Sequence, residues 1–261
     1  MNTDKITNLL DRENIKYLYS IFYNHKSEIR LVGGSIRDTL IDRDVKDIDS
    51  ATPLEPDKVL DLLKKHNIEY DDYALRYGSI IAFLNNKKIQ ITTLREDINQ
   101  LGRHTSVVYT KDWKKDAARR DFTFNALYLG IDQKVYDFYN GEKDLKEKKI
   151  KFIGEIEDRI KEDYLRIYRY FRFLGLFDQP DIDEKTQLFV EKYIHESLVV
   201  LTNDVIRQEV LKMFNMPFPL NCFFRSHDKF KWVEILKEHF IKTNYTLGLE
   251  KCLNRIDIII N

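Results

Sequence analysis

The stretch LVGGSIRDTLIDRDVKDIDSA, residues 31–51, constrains the fold more than any other part of the chain. A short apolar strand runs into Gly33–Gly34, and a helix is predicted to begin directly afterwards with Ser35 as its cap. Bare backbone before a helix N-terminus favours a phosphate, and Arg37 in the first turn can donate to the same group as a fork. The alternative is that the turn needs glycine for its geometry alone.

Two carboxylates follow on the next predicted strand, VKDIDSA. Side chains alternate along a strand, so Asp47 and Asp49 are predicted to share one face while Ile48 enters the core. Two neighbouring carboxylates repel each other unless a cation lies between them, and Mg²⁺ prefers such ligands together with substrate phosphates. The pair therefore indicates a metal-assisted phosphoryl-transfer site, although an exposed polar strand gives the same pattern.

The remaining pattern divides the chain near residue 140. We predict a lead-in helix over residues 5–24, a hairpin turning at Asn85–Asn86, and a second hairpin within residues 124–141. After Gly141 the periodicity is mostly helical. The fold class predicted is α+β, with a mixed-sheet head followed by an all-helical remainder.

Composition limits the possible partners. The 43 basic residues balance the 43 acidic ones, so any nucleic-acid surface must be a local patch. The two cysteines are too few for a disulfide framework and are predicted to be buried apolar side chains. No stretch of eighteen apolar residues is present, so we expect a cytoplasmic protein without a membrane partner. We also expect a monomer.

Several motifs together carry a family resemblance. GGSIRD at 33–38 with KDID at 46–49, RRDFTFNAL at 119–127 and EDYLR at 162–166 occur in order, with QITTLRED at 90–97 and DFYNGEKDL at 137–145. This set resembles the class II tRNA nucleotidyltransferase (CCA-adding enzyme) and bacterial poly(A) polymerase family between about residues 30 and 175. The resemblance ends at roughly residue 215.

The resemblance implies a fold and a reaction. The fold is a nucleotidyltransferase head of the polymerase-beta-like type over residues 1–140, a helical neck over 141–215, and a reduced helical body over 216–261 that contacts tRNA. The reaction is addition of C, C and A to the 3′ end of tRNA from CTP and ATP. The implied cofactor is Mg²⁺, as two ions.

The resemblance also implies roles for individual residues. Asp47 and Asp49 are the implied catalytic metal ligands, Asp121 and Asn125 lie near the ribose 2′-OH, and Asp97 and Arg103 belong to a flexible loop. The residues implied to bind nucleotide are Gly33, Gly34, Ser35, Arg37, Arg119, Arg120, Asp121, Asn125, Asp163, Arg166, Arg169 and Arg172. Taken alone, Arg119–Arg120 reads better as an exposed ion pair with Asp116.

The Glu162–Asp163–x–x–Arg166 segment suggests how bases are selected. On one helix Asp163 and Arg166 would share a face, with Arg169 and Arg172 continuing the row. Aspartate accepts from the amino group of C or A, and arginine donates to the ring nitrogen, whereas U and G present a carbonyl to the aspartate. Taken alone, the Asp163–Arg166 pair is typical of a surface salt bridge. Arg169 and Arg172 either bind phosphate or lie on a solvated face of the helix.

Two departures from the family pattern leave alternatives open. Gln90 stands where the family often has a carboxylate, and Arg103–His104–Thr105 replaces an Arg-Arg-Pro sequence. A poly(A) polymerase, or an enzyme that adds only part of CCA, would share all of the motifs. A degenerate, non-catalytic RNA-binding protein and a small-molecule nucleotidyltransferase are further alternatives.

Overall fold

A computed structural model describes residues 3–101, 104–225 and 228–243. The chain forms two compact units, one comprising most of the sequence up to Leu145 and the other beginning at Lys146. The first unit contains a seven-stranded sheet and the second is mainly helical. The predicted α+β class is confirmed.

The first unit is built from nine strands and six helices. Its strands are β1 Arg30–Val32, β2 Ile48–Thr52, β3 Glu69–Asp71, β4 Ser79–Leu84, β5 Lys87–Thr93, β6 Arg95–Leu101, β7 His104–Tyr109, β8 Leu127–Leu129 and β9 Val135–Asp137. Its helices are α1 Thr3–Leu10, α2 Glu13–Asn24, α3 Gly34–Leu40, α4 Pro56–Lys65, α5 Trp113–Ala118 and α6 Gly141–Lys146, with 3₁₀ turns at Leu75–Tyr77 and Thr123–Asn125.

The main sheet has the order β3-β4-β5-β2-β1-β8-β9. Strands β2 and β5 are parallel, and the other neighbours described are antiparallel. Alternate strand residues, among them Leu31, Ile48 and Ile91, join the apolar core that α1, α2, α3 and α4 cover. The intervening residues face the opposite side, and the candidate site lies there.

Local predictions for the head are largely confirmed. Asn85 and Asn86 both have positive φ, 50° and 60°, and join β4 to β5 as a tight hairpin. The predicted hairpin within residues 124–141 appears as β8 and β9. The single lead-in helix was wrong, because α1 ends at Leu10 and α2 begins at Glu13.

The segment after β5 differs from its prediction. Residues expected to form a flexible loop include the strands β6 and β7, which pair as a separate two-stranded ribbon. Asp97 lies in β6, where its carboxylate Oδ1 is 3.1 Å from Nε of Arg95. Arg103 lies outside the described residues.

Over its described residues, the second unit contains six helices and a small strand pair. The helices are α7 Ile156–Glu162, α8 Leu165–Leu174, α9 Glu184–Lys192, α10 Ile194–Val200, α11 Asn203–Met213 and α12 Lys231–Lys242, with a 3₁₀ turn at Pro219–Cys222. Strands β10 Phe224–Arg225 and β11 Asp228–Lys229 pair antiparallel, so the prediction of an all-helical remainder needs this correction.

Aromatic side chains form the core of the helical unit. The Trp232 ring is fully buried, and its centroid lies 5.3 Å from that of Phe171 and 5.6 Å from that of Phe223. Cys222 is likewise buried, as predicted. Among the described residues, no helix is both long enough and apolar enough to cross a bilayer.

Candidate active site

Strand register assembles the site on the face of the sheet opposite the apolar core that α1, α2, α3 and α4 cover. Asp49 of β2 is paired with Val32 of β1 on one side and with Gln90 of β5 on the other. Val32 is in turn paired with Tyr128 of β8. Residues in one register row share a face of the sheet, so the Asp49 carboxylate lies between Gln90 and the residues of β1 and β8. Asp47 is exposed and directly precedes β2 rather than lying inside it.

The glycine pair forms the turn from β1 into α3. Gly33 has φ +74° and is the residue that precedes the helix, and its N–H donates to the carbonyl of Leu127 at 3.0 Å. The helix therefore begins at Gly34, and the prediction that Ser35 caps it was wrong. Ser35 is instead buried inside the first turn.

The two adjacent glycines should respond differently to alanine. At Gly33 an added Cβ would combine a left-handed backbone with a 3.3 Å approach to the carbonyl oxygen of Asn125, whereas Gly34 would meet only ordinary contacts. We expect Gly33→Ala to lower the free energy of unfolding by about 1–2 kcal/mol. Gly34→Ala, as the matched control, should leave it unchanged or raise it, because alanine favours a helix. Urea unfolding checks both, and equal losses would contradict the assigned geometry.

Arg37 is fixed by two neighbours. Its Nε donates to Oδ1 of Asp38 at 2.9 Å, and its Nη1 donates to the side-chain oxygen of Asn125 at 2.7 Å. Asn125 in turn donates to Asp121 at 3.0 Å, and Asp121 also accepts from the N–H of Phe122. Burial lowers the pKa of Arg37, and the charge of Asp38 opposes that effect. The structure thus brings together Arg37, Asp121 and Asn125, which were all predicted to bind nucleotide.

Asp116 holds the other arginine pair. Its carboxylate has no exposed surface and lies 2.8 Å from Nε of Arg119 and 3.1 Å from Nη2 of Arg120. The hydroxyl of Tyr128 donates to the same carboxylate at 2.7 Å, and the N–H of Arg95 donates at 3.2 Å. The ion pair considered in the sequence exists, but it is buried rather than exposed.

The pKa values around Asp116 follow from this network. Burial acts to raise the pKa of Asp116, but the charges of Arg120 and Arg119 and the Tyr128 hydroxyl together lower it to about 2. Burial acts to lower the pKa of Arg120, and Tyr128 and Asp116 outweigh it, so that pKa is raised. Arg120 therefore remains charged. Tyr128 and Arg95 were not predicted as site residues, because only the sheet register and the fold around Asp116 reveal their positions.

A cavity of about 200 Å³ lies beside Asp49. It is bordered by carboxylate, amide, hydroxyl and three guanidinium groups. The residues that line it are Val32, Asp49, Ser50, Ser79, Gln90, Thr92, Arg95, Arg119 and Arg120.

Burial and two kinds of neighbouring charge act on the pKa of Asp49. Burial raises its pKa, the charge of Arg120 lowers it, and the charge of Asp47 raises it again. The described residues contain no cluster of three or more His, Cys, Asp or Glu suited to a metal. Two carboxylates still suit Mg²⁺, which takes one or two of them and completes its shell with phosphates and water.

The second unit arranges the proposed base-selecting residues differently from the prediction. Glu162 ends α7, Asp163 follows in extended conformation, and Arg166 lies in α8, so the pair does not share one continuous helix. Asp163 accepts the N–H of Leu165 at 3.0 Å and thereby helps start α8. The Arg166 guanidinium is buried and donates to Glu162 at 2.7 Å and to the carbonyl of Arg159 at 2.8 Å.

The row of arginines continues along α8. Arg169 lies 5.5 Å from the centroid of the Phe173 ring, and Arg172 lies 4.7 Å from it. Nη1 of Arg172 is also 3.3 Å from Oε2 of the buried Glu209. Arg172 therefore has contacts typical of a packed helix interface, and its predicted nucleotide contact remains a prediction.

Comparison with known proteins adds the family. Residues 29–151 match the poly A polymerase head domain. The human mitochondrial CCA tRNA nucleotidyltransferase 1 is 42% identical over 177 residues, which cover 67% of this chain and 41% of the relative. The CCA-adding enzyme of Lactobacillus helveticus is 35% identical over 198 residues, which cover 75% of this chain and 48% of the relative. The head of the chain belongs to the poly A polymerase head-domain family.

Solved structures support the same fold. A CCA-adding enzyme in its apo form II aligns with a TM-score of 0.74 and 25% identity, covering 96% of this chain and 60% of that one. The Bacillus stearothermophilus CCA-adding enzyme in complex with CTP aligns with a TM-score of 0.71 and 24% identity, covering 81% of this chain and 51% of that one. The chain spans less than half the length of the two curated relatives in this family.

Proposed function

We propose that the chain is a template-independent nucleotidyltransferase that adds C, C and A to the 3′ end of tRNA from CTP and ATP. The observation that carries the proposal is the cavity that Asp49 lines together with Arg95, Arg119 and Arg120, while Asp47 stands two residues before Asp49 in the sequence. A carboxylate for a metal and cations for phosphates, around one small space, are what phosphoryl transfer from a triphosphate requires.

Each group in the site has a proposed role in the reaction. Asp47 and Asp49 would hold Mg²⁺, whose chemistry when bound is to polarise phosphate oxygens and favour an ionised hydroxyl. Arg119 and Arg120, fixed by Asp116, would neutralise the triphosphate, with the Gly33–Gly34 turn as a further part of the nucleotide site. The terminal 3′ oxygen of the RNA bonds to the α-phosphorus, and the bond from that phosphorus to pyrophosphate breaks.

Arg37 is proposed to act through the fixed orientation of its side chain. Hydrogen bonds to Asp38 and Asn125 hold its guanidinium in place, and Asp121 orients Asn125. We assign Arg37 to the phosphates, Ser35 to the support of the turn, and Asp121 with Asn125 to the ribose. Because this guanidinium is already held in place, binding an anion does not require a long side chain to lose conformational entropy.

Base selection is proposed for the second unit. Asp163 can accept an amino proton and Arg166 can donate to a ring nitrogen, which matches C and A and leaves the carbonyl of U or G facing a carboxylate. An unpaired buried polar group costs about 1–3 kcal/mol, which is enough to discriminate. Glu162 holds Arg166 at 2.7 Å and is assigned to its orientation. Arg169 and Arg172 remain assigned to nucleotide binding.

The remaining sequence predictions are part of the proposal. The domain roles are a catalytic head at 1–140, a base-selecting neck at 141–215 and a tRNA-contacting body at 216–261. Asp97, which lies in β6, and Arg103 are assigned to the segment that assists addition of the final A. We further propose a monomer located in the cytoplasm.

An extension assay tests the proposed function. Transcripts of tRNA that end before CCA are incubated with Mg²⁺ and CTP, ATP, both, or UTP with GTP, and the products are sequenced. We expect C, C and A to be added, then no more, and no addition by the Asp47→Ala variant. CC alone, a single A on a CC end, or a long A tail would identify a partial enzyme or a poly(A) polymerase. Absence of any extension would overturn the proposal and favour a non-catalytic RNA-binding protein.

A further inference from the structure

Tyr128 lies on the same side of the sheet as the candidate site, although it is not one of the described residues that line the cavity. Its neighbours in β8, Leu127 and Leu129, join the apolar core, so the Tyr128 side chain points to the opposite face. The side chain is fully buried, and the centroid of its ring lies 5.3 Å from that of Trp113 and 6.0 Å from that of Phe138. These contacts fix the place of the Tyr128 hydroxyl.

The hydroxyl joins two charged groups. It donates a hydrogen bond to Oδ2 of Asp116 at 2.7 Å and accepts one from Nε of Arg120 at 3.2 Å. Nη2 of Arg120 donates to the same Oδ2 atom at 3.1 Å. Burial raises the pKa of Tyr128, so the hydroxyl keeps its proton at neutral pH and remains a donor to Asp116. Arg120 is therefore held at two of its nitrogen atoms, and Tyr128 holds one of them.

The third nitrogen of this guanidinium lies beside the glycine turn. A Cβ built on Gly33 would lie 3.7 Å from Nη1 of Arg120. Arg120 also lines the cavity with Asp49, and after burial its charge is the largest influence on the pKa of that carboxylate. Because Tyr128 holds Nε and Asp116 holds Nη2, these two bonds determine where Nη1 lies relative to the turn and to the cavity.

A second buried tyrosine offers a matched comparison. Tyr168 of α8 is also fully buried, and its hydroxyl lies 2.9 Å from Oγ of Ser197. Its ring meets the Trp232 ring edge to face at a centroid distance of 6.0 Å, as the Tyr128 ring meets Trp113. Each hydroxyl therefore contributes to a folded core, whereas the Tyr128 hydroxyl additionally contacts an arginine that lines the cavity.

We propose that Tyr128 is a positioning residue for the triphosphate of the incoming nucleotide and acts by holding Arg120 in one orientation. The inference rests on the proposed function, because it takes the phosphates of CTP or ATP as the anion that Arg120 meets. A guanidinium that is already held binds a phosphate with little further loss of conformational entropy. Tyr128 follows directly after the RRDFTFNAL motif at 119–127, so this role lies outside the motif residues.

Binding of phosphates without metal tests the contact itself. The probes are inorganic tripolyphosphate and CTP in buffer with EDTA, and calorimetry measures their affinity. We expect Tyr128→Phe, which keeps the ring and removes the hydroxyl, to weaken both by about tenfold, as for one lost hydrogen bond to a charged group. Tyr168→Phe is the control and should leave both affinities unchanged. Equal affinities in Tyr128→Phe and the unchanged protein, or absence of binding by the unchanged protein, would overturn the inference.

Steady-state extension of tRNA separates a positioning role from a structural one. We expect Tyr128→Phe to raise KM for CTP by about tenfold with kcat nearly unchanged, because the phosphates are held in the ground state and in the transition state alike. A hydroxyl that served only the fold would reduce the amount of active protein, which lowers the apparent kcat and leaves KM unchanged. That second pattern would contradict the proposal.

A double-mutant cycle tests whether Tyr128 acts through Arg120. Lysine lacks the planar guanidinium whose Nε and Nη2 are held separately. In an Arg120→Lys background, Tyr128→Phe should therefore weaken tripolyphosphate binding further by less than about twofold. A loss as large as the one in the unchanged background would show that Tyr128 acts independently of Arg120, and the inference would fall.

Failure of this inference is distinguishable from failure of the proposed function. A protein that extends tRNA but binds triphosphate equally well with and without the Tyr128 hydroxyl retains the proposed function and loses the inference. A protein that does not extend tRNA loses the proposed function on its own assay, while the calorimetric comparison still decides whether Tyr128 supports phosphate binding. Thermal unfolding confirms that both phenylalanine variants are folded.

Discussion

Asp49→Asn is expected to abolish nucleotide addition while the head remains folded. The substitution keeps the shape of the side chain and removes the charge that a divalent cation requires. Because several kcal/mol of transition-state stabilisation depend on that charge, we expect the rate to fall on the order of 10³-fold or more. Single-turnover extension of tRNA measures the loss. Asp44→Asn, an exposed aspartate just before β2, is the control and should retain activity.

The stability of the same variant gives an independent check. Burial raises the pKa of Asp49 above its ordinary value, so the folded protein binds this proton more tightly than the unfolded chain does. The stability that this group contributes is present below the unfolded pKa and is lost as the pH rises through the folded pKa. At neutral pH in metal-free buffer, Asp49→Asn should therefore unfold at the same temperature as the unchanged protein or at a higher one. A marked destabilisation would show that the carboxylate serves the fold rather than a cation.

Asp116→Asn is expected to lower the free energy of unfolding strongly, whereas Asp49→Asn is expected to leave stability unchanged or raise it. Asp116 is buried and holds Arg119 and Arg120, so its neutralisation leaves two cations without their shared carboxylate. Breaking a buried ion pair by removing one partner costs about 3–5 kcal/mol. Urea unfolding measures the change. The control is Glu96→Gln, which removes an exposed ion pair with Lys115 and should cost less than about 1 kcal/mol.

The pH dependence of folding tests the same network. The pKa of Asp116 is lowered to about 2, so its stabilising contribution is present above the unfolded value and is lost as the pH falls toward 2. The difference in unfolding free energy between the unchanged protein and Asp116→Asn should therefore shrink on acidification from pH 5 to pH 2. A difference that stayed constant over this range would show that the arginines do not depend on the charge of Asp116.

Local chemistry made much of the fold predictable. Asn85–Asn86 between alternating apolar residues gave the β4–β5 hairpin, because asparagine accepts the positive φ of such a turn. The glycine pair after an apolar strand predicted the turn into α3, although Gly33 rather than the predicted Ser35 precedes the helix. The order of the motifs indicated the family resemblance, which the local patterns alone could not have shown.

What the sequence could not give depends on tertiary contacts. The i, i+3 spacing of Asp163 and Arg166 suggested one helix, but α7 ends between them and a new helix begins at Leu165. Asp116 was considered only as a surface ion-pair partner, since its complete burial follows from β8 bringing Tyr128 beside it. Gln90 was known as a departure in sequence, and only the register shows that it directly neighbours Asp49.

The register row through Gln90, Asp49, Val32 and Tyr128 has a consequence for the order of folding. These residues belong to β5, β2, β1 and β8, which join segments from both ends of the head. Contacts between distant segments form slowly, because a long loop must close first. A nascent chain that has emerged only as far as β7 carries both carboxylates but lacks β8 and Tyr128. The candidate site therefore lacks one strand of its register row until β8 has been synthesised, and we expect a shorter nascent chain not to form the native geometry of that site.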